Sequence, residues 1–283
     1  MPSVSANGVS LECEQKGTGT PVIFVHGTAC DLRSWSAQVD ALPNHKTVSY
    51  SRRYAWPNSR EGDLTDSTVE NNAEDLAGLM HEIGAGQAHI VGHSYGGFVS
   101  AYFAFKNPEM VKSLTLVNAA VATVLAESTS PSAMLGLLLR MPGIALSART
   151  FVSARDRAVR LIEAGDKEAI VRVFLPVLEN NARDLPPKGE AFTRMVLDNA
   201  RTLKETATPF PRLGKSELSR IKTPTLVISG ELSAPWDLKT SELLAKSIAG
   251  SESLTIKGAS HFCLNDRPTE VGRGIRDFVD KND

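Results

Sequence analysis

Apolar and polar positions along this chain follow two periods in turn. Residues 4–6 and 9–13 flank Asn7-Gly8, which predicts a β-hairpin. The stretch from Gly17 to Pro21 breaks it. Residues 22–25 read Val-Ile-Phe-Val, a continuous apolar run that marks a strand buried on both faces. Further strands are predicted at 46–51, 88–92, 111–117, 223–230 and 253–256. Helical spacing falls between them, at 34–42, 98–105, 237–249 and 269–279. It is plainest at 67–83, where Val69, Ala73, Leu76, Leu79, Met80 and Ile83 share a face. Strand and helix taking turns predict an α/β fold, a mostly parallel twisted sheet with helices on both faces.

That rhythm stops after Asn118. From 119 to 221 the pattern is helical, in pieces at 131–146, 148–164, 166–178 and 188–203, parted by proline, glycine and Asn180-Asn181. Strand signals then resume. A helical block between two halves of one sheet predicts a core made of 1–118 and 222–283, with a helical lid inserted at 119–221.

Composition narrows the partners. The chain has 283 residues, 42% hydrophobic and 22% charged, enough to bury a large core. Its net charge of -1 implies no polyanion-binding surface, so neither nucleic acid nor a membrane is expected as partner. The longest apolar stretch, 134–139, is too short to span a bilayer. Cys13, Cys30 and Cys263 have neither metal-ligand nor disulfide-framework spacing, which argues for a reducing compartment. The first residues lack a basic-then-apolar signal, so the expected location is the cytoplasm. Monomer and homodimer both remain open.

The chemistry gathers at Ile90-Val91-Gly92-His93-Ser94-Tyr95-Gly96-Gly97, a buried strand that turns sharply into a helix. G-x-S-x-G in that setting predicts a nucleophile elbow, with Ser94 on a strained turn and its Oγ clear of the sheet. Gly92 and Gly96 fit because side chains there would strike the neighbouring strand and helix. A serine hydroxyl needs a base. His261 follows the last strand, and strand C-terminal ends in a parallel sheet share one edge. That places His261, Ser94 and His26-Gly27-Thr28 on one rim. The backbone N–H groups of Tyr95 and Thr28 are the candidate oxyanion donors. His93 diverges from the serine and reads as packing; His26 reads as structural.

The segments FVHGT at 24–28, GHSYGG at 92–97 and GASHF at 258–262, in that order on those elements, resemble the α/β-hydrolase superfamily. YSRRYAWPN at 50–58 and LDNARTL at 197–203 are similar to a group of bacterial hydrolases of unassigned substrate. The resemblance implies the fold, a serine nucleophile, and no metal or cofactor. Epoxide hydrolases and haloalkane dehalogenases of this fold use an aspartate nucleophile, so Ser94 speaks against both. The family also implies an acid after one of two strands, and here the pattern departs. Gly230-Glu231-Leu232-Ser233 puts serine in the usual acid slot, and Asn118 stands at the other. Three readings stay open. Asn118 orients His261 through its amide oxygen; Glu231 or Asp237 reaches the imidazole by a changed path; or the protein does not run acyl-enzyme hydrolysis.

Trp35, Trp56 and Trp236 fall on predicted rim segments. With Phe262, Phe151, Phe174, Met134, Met141 and Leu137 to Leu139 they are candidates for an apolar pocket, ordinary core being the plainer reading of the aliphatics. Trp56, Trp236 and Phe262 are the candidate substrate contacts. Arg52 and Arg53 read as loop ties. Cys30 and Cys263 carry no catalytic signal. The expected activity is hydrolysis of an ester, thioester or lactone of a small, mainly apolar molecule through an acyl-enzyme on Ser94. The alternatives are a lyase, cofactor-free oxygenase or cyclase on the same fold, or a ligand-binding protein that kept it.

Overall fold

A computed structural model describes residues 2–59, 62–126, 131–182 and 185–283, without the side chains of Pro131, Ala133 and Met134. The apolar runs of the sequence form eight strands: β1 Ser3–Ala6, β2 Val9–Lys16, β3 Pro21–Val25, β4 Lys46–Tyr50, β5 Ala88–His93, β6 Val111–Val117, β7 Thr225–Gly230 and β8 Glu252–Ile256. They make one sheet in the order β1-β2-β4-β3-β5-β6-β7-β8. β2 runs antiparallel to both its neighbours, and all later pairings are parallel. In register, Val25 faces Gly92, His93 faces Val117, and Gly230 faces Ile256. The C-terminal ends of the six mutually parallel strands, β3 to β8, therefore form one rim.

Alternation along each strand splits the core in two. Ile23, Ile90, Leu114, Leu116 and Val227 point to one face; Val22, Phe24, Val91, Val117, Leu226 and Ile228 point to the other. Helices α1 Ser36–Asp40, α2 Val69–Glu82 and α3 Tyr95–Lys106 occupy the first half of the chain. Leu76 and Leu79 of α2 and Phe98 and Phe103 of α3 fill the first face. Thr68 caps α2 by accepting from the Asn71 N–H at 3.1 Å.

Between β6 and β7 the described chain is helical: α4 Pro131–Arg140, α5 Pro142–Glu163, α6 Leu175–Leu178, α7 Glu190–Asp198 and α8 Lys215–Leu218. After β7 come α9 Pro235–Ser247, α10 Cys263–Asp266 and α11 Pro268–Lys281, the last closing the second face with Ile275 and Phe278. A third apolar cluster joins Phe174, Phe192 and Met195 of the helical block to Trp236 and Phe262 of the rim.

Four expected helices differ in extent: the piece expected over 148–164 starts at Pro142, and that over 166–178 is a π-helical stretch, Ile170–Phe174, running into α6. The piece predicted over 131–146 ends at Arg140, because Pro142 excludes helical geometry from Met141 (φ -143°, ψ 69°) and itself opens α5. The piece predicted over 188–203 gives way after Asp198 to a 3-10 stretch, Ala200–Ala207.

Candidate active site

β5 delivers Ser94 at its end with φ 53° and ψ -120°, a backbone region costly for any residue with a Cβ. The Ser94 N–H donates to Val117 O at 3.0 Å, and its own carbonyl accepts from Phe98 and Ala120. A Cβ on Gly96 would overlap the carbonyl oxygens of Val25 and His26, and one on Gly92 would overlap Ser100 and Gly96, so only glycine admits the turn. Tyr95 opens α3, and a first-turn N–H has no intrahelical acceptor. Both Thr28 and Tyr95 border the same cavity as Ser94.

His261 lies on the loop after β8. Its Nε2 is 2.9 Å from Ser94 Oγ, and its Nδ1 is 2.7 Å from Asp237 Oδ2. The His261 and Asp237 side chains are each 1% exposed, so this ion-pair geometry is sheltered from water. Asp237 sits in the first turn of α9, behind Pro235, where the helix dipole favours a carboxylate.

Of the three candidates for the place beside Nδ1, Asp237 occupies it. Asn118 does not bond to the imidazole. Its Nδ2 donates to Asp237 Oδ2 and to Ser233 Oγ, each at 2.8 Å, and its Oδ1 accepts from the Gly230 N–H at 3.1 Å. Asn118 thus steadies the carboxylate, because α9 brings a carboxylate between it and the ring. Glu231 turns outward and accepts from the Gly258 N–H at 2.9 Å.

His93 packs beneath the elbow and donates from Nε2 to His261 O at 3.0 Å, holding the histidine loop. Burial, with His261 adding to it, lowers the His93 pKa to about 3, so the ring is neutral. His26 is structural: Nδ1 donates to Gly27 O at 2.8 Å and Nε2 accepts from the Arg52 N–H at 2.8 Å. Burial and the nearby guanidinium keep His26 well below the ordinary histidine range. Burial pushes the Cys30 thiol up to about 12 and raises that of Cys263, so neither is a thiolate at neutral pH.

Above Ser94 lies a cavity of about 50 Å³, bordered by Phe151, Phe174, Phe210, Trp236 and Phe262. Ala120, Ala122, Leu178 and Thr206 complete its wall with the catalytic candidates and His93, and among the described residues no Lys, Arg, Asp or Glu borders it. Of the candidate substrate contacts, Trp236 and Phe262 border the cavity. Trp56 does not: its ring lies under the Arg33 guanidinium, 3.9 Å away, and its backbone N–H donates to Asn199 at 2.7 Å. A cation over its face holds it outside the cavity. Trp35 packs on Phe24 in the sheet core, Leu138 and Leu139 are exposed, and Leu137 and Met141 do not border the cavity. Met134 lies outside the described side chains. Thr206 and Phe210 have no chemical signal in the sequence; they follow LDNARTL, Thr206 within the 3-10 stretch and Phe210 in the irregular segment after it, and both border the cavity. Among the described residues no cluster of three or more His, Cys, Asp or Glu could hold a metal, and no helix is long and apolar enough to cross a membrane.

The alpha/beta hydrolase fold family matches residues 20–268 of the chain. Epoxide hydrolase 2 of Siraitia grosvenorii is 23% identical, over 99% of this chain and 98% of that one. A 2-hydroxy-6-oxononadienedioate/2-hydroxy-6-oxononatrienedioate hydrolase of Burkholderia vietnamiensis is 26% identical, over 81% and 77%. Some other relatives are matched over less than half of their own length. Among solved structures, a thermophilic esterase from Thermogutta terrifontis has a TM-score of 0.76 at 24% identity, over 99% and 98% of the two chains. At that identity the likeness speaks for the fold alone.

Proposed function

The chain belongs to the alpha/beta hydrolase fold family, and from that premise we propose that it is a serine hydrolase of small, neutral esters, thioesters or lactones. The observation that carries the reading is the unbroken path Ser94 Oγ–His261 Nε2 at 2.9 Å and His261 Nδ1–Asp237 Oδ2 at 2.7 Å, at the floor of an apolar cavity. Ser94 Oγ attacks the carbonyl carbon while His261 Nε2 takes its proton. Asp237 holds the Nδ1–H tautomer and offsets the imidazolium charge. The Thr28 and Tyr95 N–H groups receive the oxyanion. His261 returns the proton to the leaving group, then activates water to cleave the acyl-enzyme. The helical block between β6 and β7 acts as the lid, since Phe151, Phe174 and Leu178 supply the far wall.

The cavity limits the acyl group. Its volume of about 50 Å³ is roughly a third of the ~150 Å³ that admits benzene in an engineered protein cavity. A short acyl chain fits without rearrangement. A substrate carboxylate would be buried with no cation beside it, which is costly. The Burkholderia relative is named for a dioate; the wall here suits a neutral group instead. The non-hydrolytic alternatives draw on the want of a carboxylate at His261, and Asp237 removes that motive.

A fluorophosphonate probe is expected to add covalently to Ser94, read as a mass shift on the peptide carrying that serine. Ser94→Ala is expected to lower p-nitrophenyl acetate turnover by about 10⁶-fold. No adduct on the wild-type protein, with turnover surviving the substitution, would refute the mechanism.

A further inference from the structure

Glu205 lies in the 3-10 stretch Ala200–Ala207 of the helical block and is 1% exposed. The relay from serine to aspartate does not touch it. Its carboxylate nevertheless accepts four hydrogen bonds. Thr28 Oγ1 and Arg52 Nη2 each donate to Oε1 at 2.7 Å. Arg52 Nη1 donates to Oε2 at 3.0 Å, and Ser67 Oγ at 2.9 Å. The Arg52 guanidinium continues to the oxyanion loop, donating to His26 O at 2.9 Å and Gly27 O at 3.3 Å. It also lies 4.8 Å from the centre of the Tyr95 ring, whose hydroxyl donates to Ser67 O at 2.8 Å. Burial alone would favour neutral Arg52, but Glu205 holds the guanidinium above its ordinary range.

A buried carboxylate persists only when charge and hydrogen bonds offset its desolvation. Here those partners are the supports of both candidate oxyanion donors. Thr28 follows the end of β3, beyond the last ladder contact at Val25, and Ala29 next to it has φ 56°. Sheet pairing therefore does not fix the Thr28 amide; side chains must. Oxyanion donors act by being aimed before the reaction, and misplacement by a fraction of an ångström is felt in rate.

We propose that Glu205 is a positioning residue for the oxyanion site, fixing Thr28 directly and Tyr95 through Arg52 and Ser67. The helical block then supplies a strut as well as a cover. Seating the block and aiming the oxyanion donors become one event. This inference rests on the serine-hydrolase reading above.

Thr28→Val tests it. The substitution keeps the backbone N–H, the side-chain shape and the Arg52–Glu205 pair, and deletes only the tie to Glu205. The expected result is a fall in kcat on p-nitrophenyl acetate of about 10-fold, with KM held within about threefold. Affinity for an alkyl boronic acid, which mimics the tetrahedral state, should fall by the same factor. Packing alone would lower the melting temperature and leave boronate affinity unmoved. Glu205→Gln leaves Arg52 buried without its counter-charge, so it is read only where melting shows a folded protein. The double variant should then lose no more than the worse single one. A folded Thr28→Val protein with kcat and boronate affinity both within about threefold of wild type overturns the strut. A wild-type protein that takes no fluorophosphonate on Ser94 overturns the hydrolase reading and the strut together, so the two failures are told apart.

Discussion

Replacing Asp237 by Asn tests the relay at the residue whose place is hardest to foresee from the chain. The two side chains have one shape, so packing around α9 should survive. Hydrogen bonding should not. Asp237 Oδ2 accepts from two donors at once, His261 Nδ1 at 2.7 Å and Asn118 Nδ2 at 2.8 Å. An asparagine can meet them in two ways. With its oxygen in the Oδ2 place, its NH2 is buried at the Oδ1 place, which has no partner among the described residues, at a cost of about 1–3 kcal/mol. With its NH2 there instead, it confronts the Asn118 donor and requires His261 to present a bare Nδ1, the tautomer that cannot take the Ser94 proton. Both arrangements also lose the charge that offsets the imidazolium. In a serine protease, loss of the triad carboxylate lowers kcat by about 10⁴, or about 5 kcal/mol. The same loss is expected here, with KM nearly unmoved, in steady-state p-nitrophenyl acetate hydrolysis near neutral pH. Glu231→Gln serves as control, since that carboxylate faces Gly258, and should change kcat by no more than about twofold. An Asp237→Asn protein within about 10-fold of wild type would sink the relay through Asp237.

Two further outcomes follow from the same contacts. Burial holds His93 neutral down to about pH 3, against about 6.5 in the unfolded chain, so its stabilising share is full above 6.5 and drains as pH falls toward 3. Between pH 7 and 5 that linkage removes about 2 kcal/mol; His93→Gln, which retains a donor but does not titrate, should show a correspondingly smaller fall in urea-unfolding free energy, and an equal fall would contradict the assignment. Phe151 packs on Trp236 with ring centres 4.8 Å apart at the cavity wall; Phe151→Ala should shift the preferred p-nitrophenyl ester from acetate toward longer chains, at about 3 kcal/mol of stability, and an unchanged chain-length profile would show that this ring does not set the limit.

Much of this fold is legible in periodicity, because buried parallel strands and amphipathic helices leave strong and different patterns. The run Val-Ile-Phe-Val forms β3, and the stripe from Val69 to Met80 forms the inner face of α2. Ser94 and His261 are legible for another reason: parallel strands must end on one rim, so motifs far apart in the chain meet there. The cavity wall is not legible. Phe210 and Thr206 reach it through a 3-10 turn and an irregular segment, whose aim depends on tertiary contacts such as Glu205 with Arg52. The same dependence takes Trp56 away from the cavity. Its place on a rim loop follows from the sequence, but its stacking partner Arg33 does not.

The acid shows where sequence spacing loses its hold. Two loops, after β6 and after β7, approach the same point beside His261 Nδ1, where the proposed relay places a carboxylate. Asn118 opens the first of those loops, Ser233 lies within the second, and the Asn118 amide donates to the Ser233 hydroxyl at 2.8 Å. Between them and the ring enters Asp237, carried four residues past Ser233 by the turn into α9. The Asn118 amide can then donate to the carboxylate, which an aspartate at 118 could not do without setting two like charges side by side. The residues that depart from the usual spacing are thus mutually consistent. An amide at 118 is what a carboxylate at 237 needs as neighbour, and Asn118→Asp should set two carboxylates side by side and weaken the hold on His261, read as a fall in kcat on p-nitrophenyl acetate.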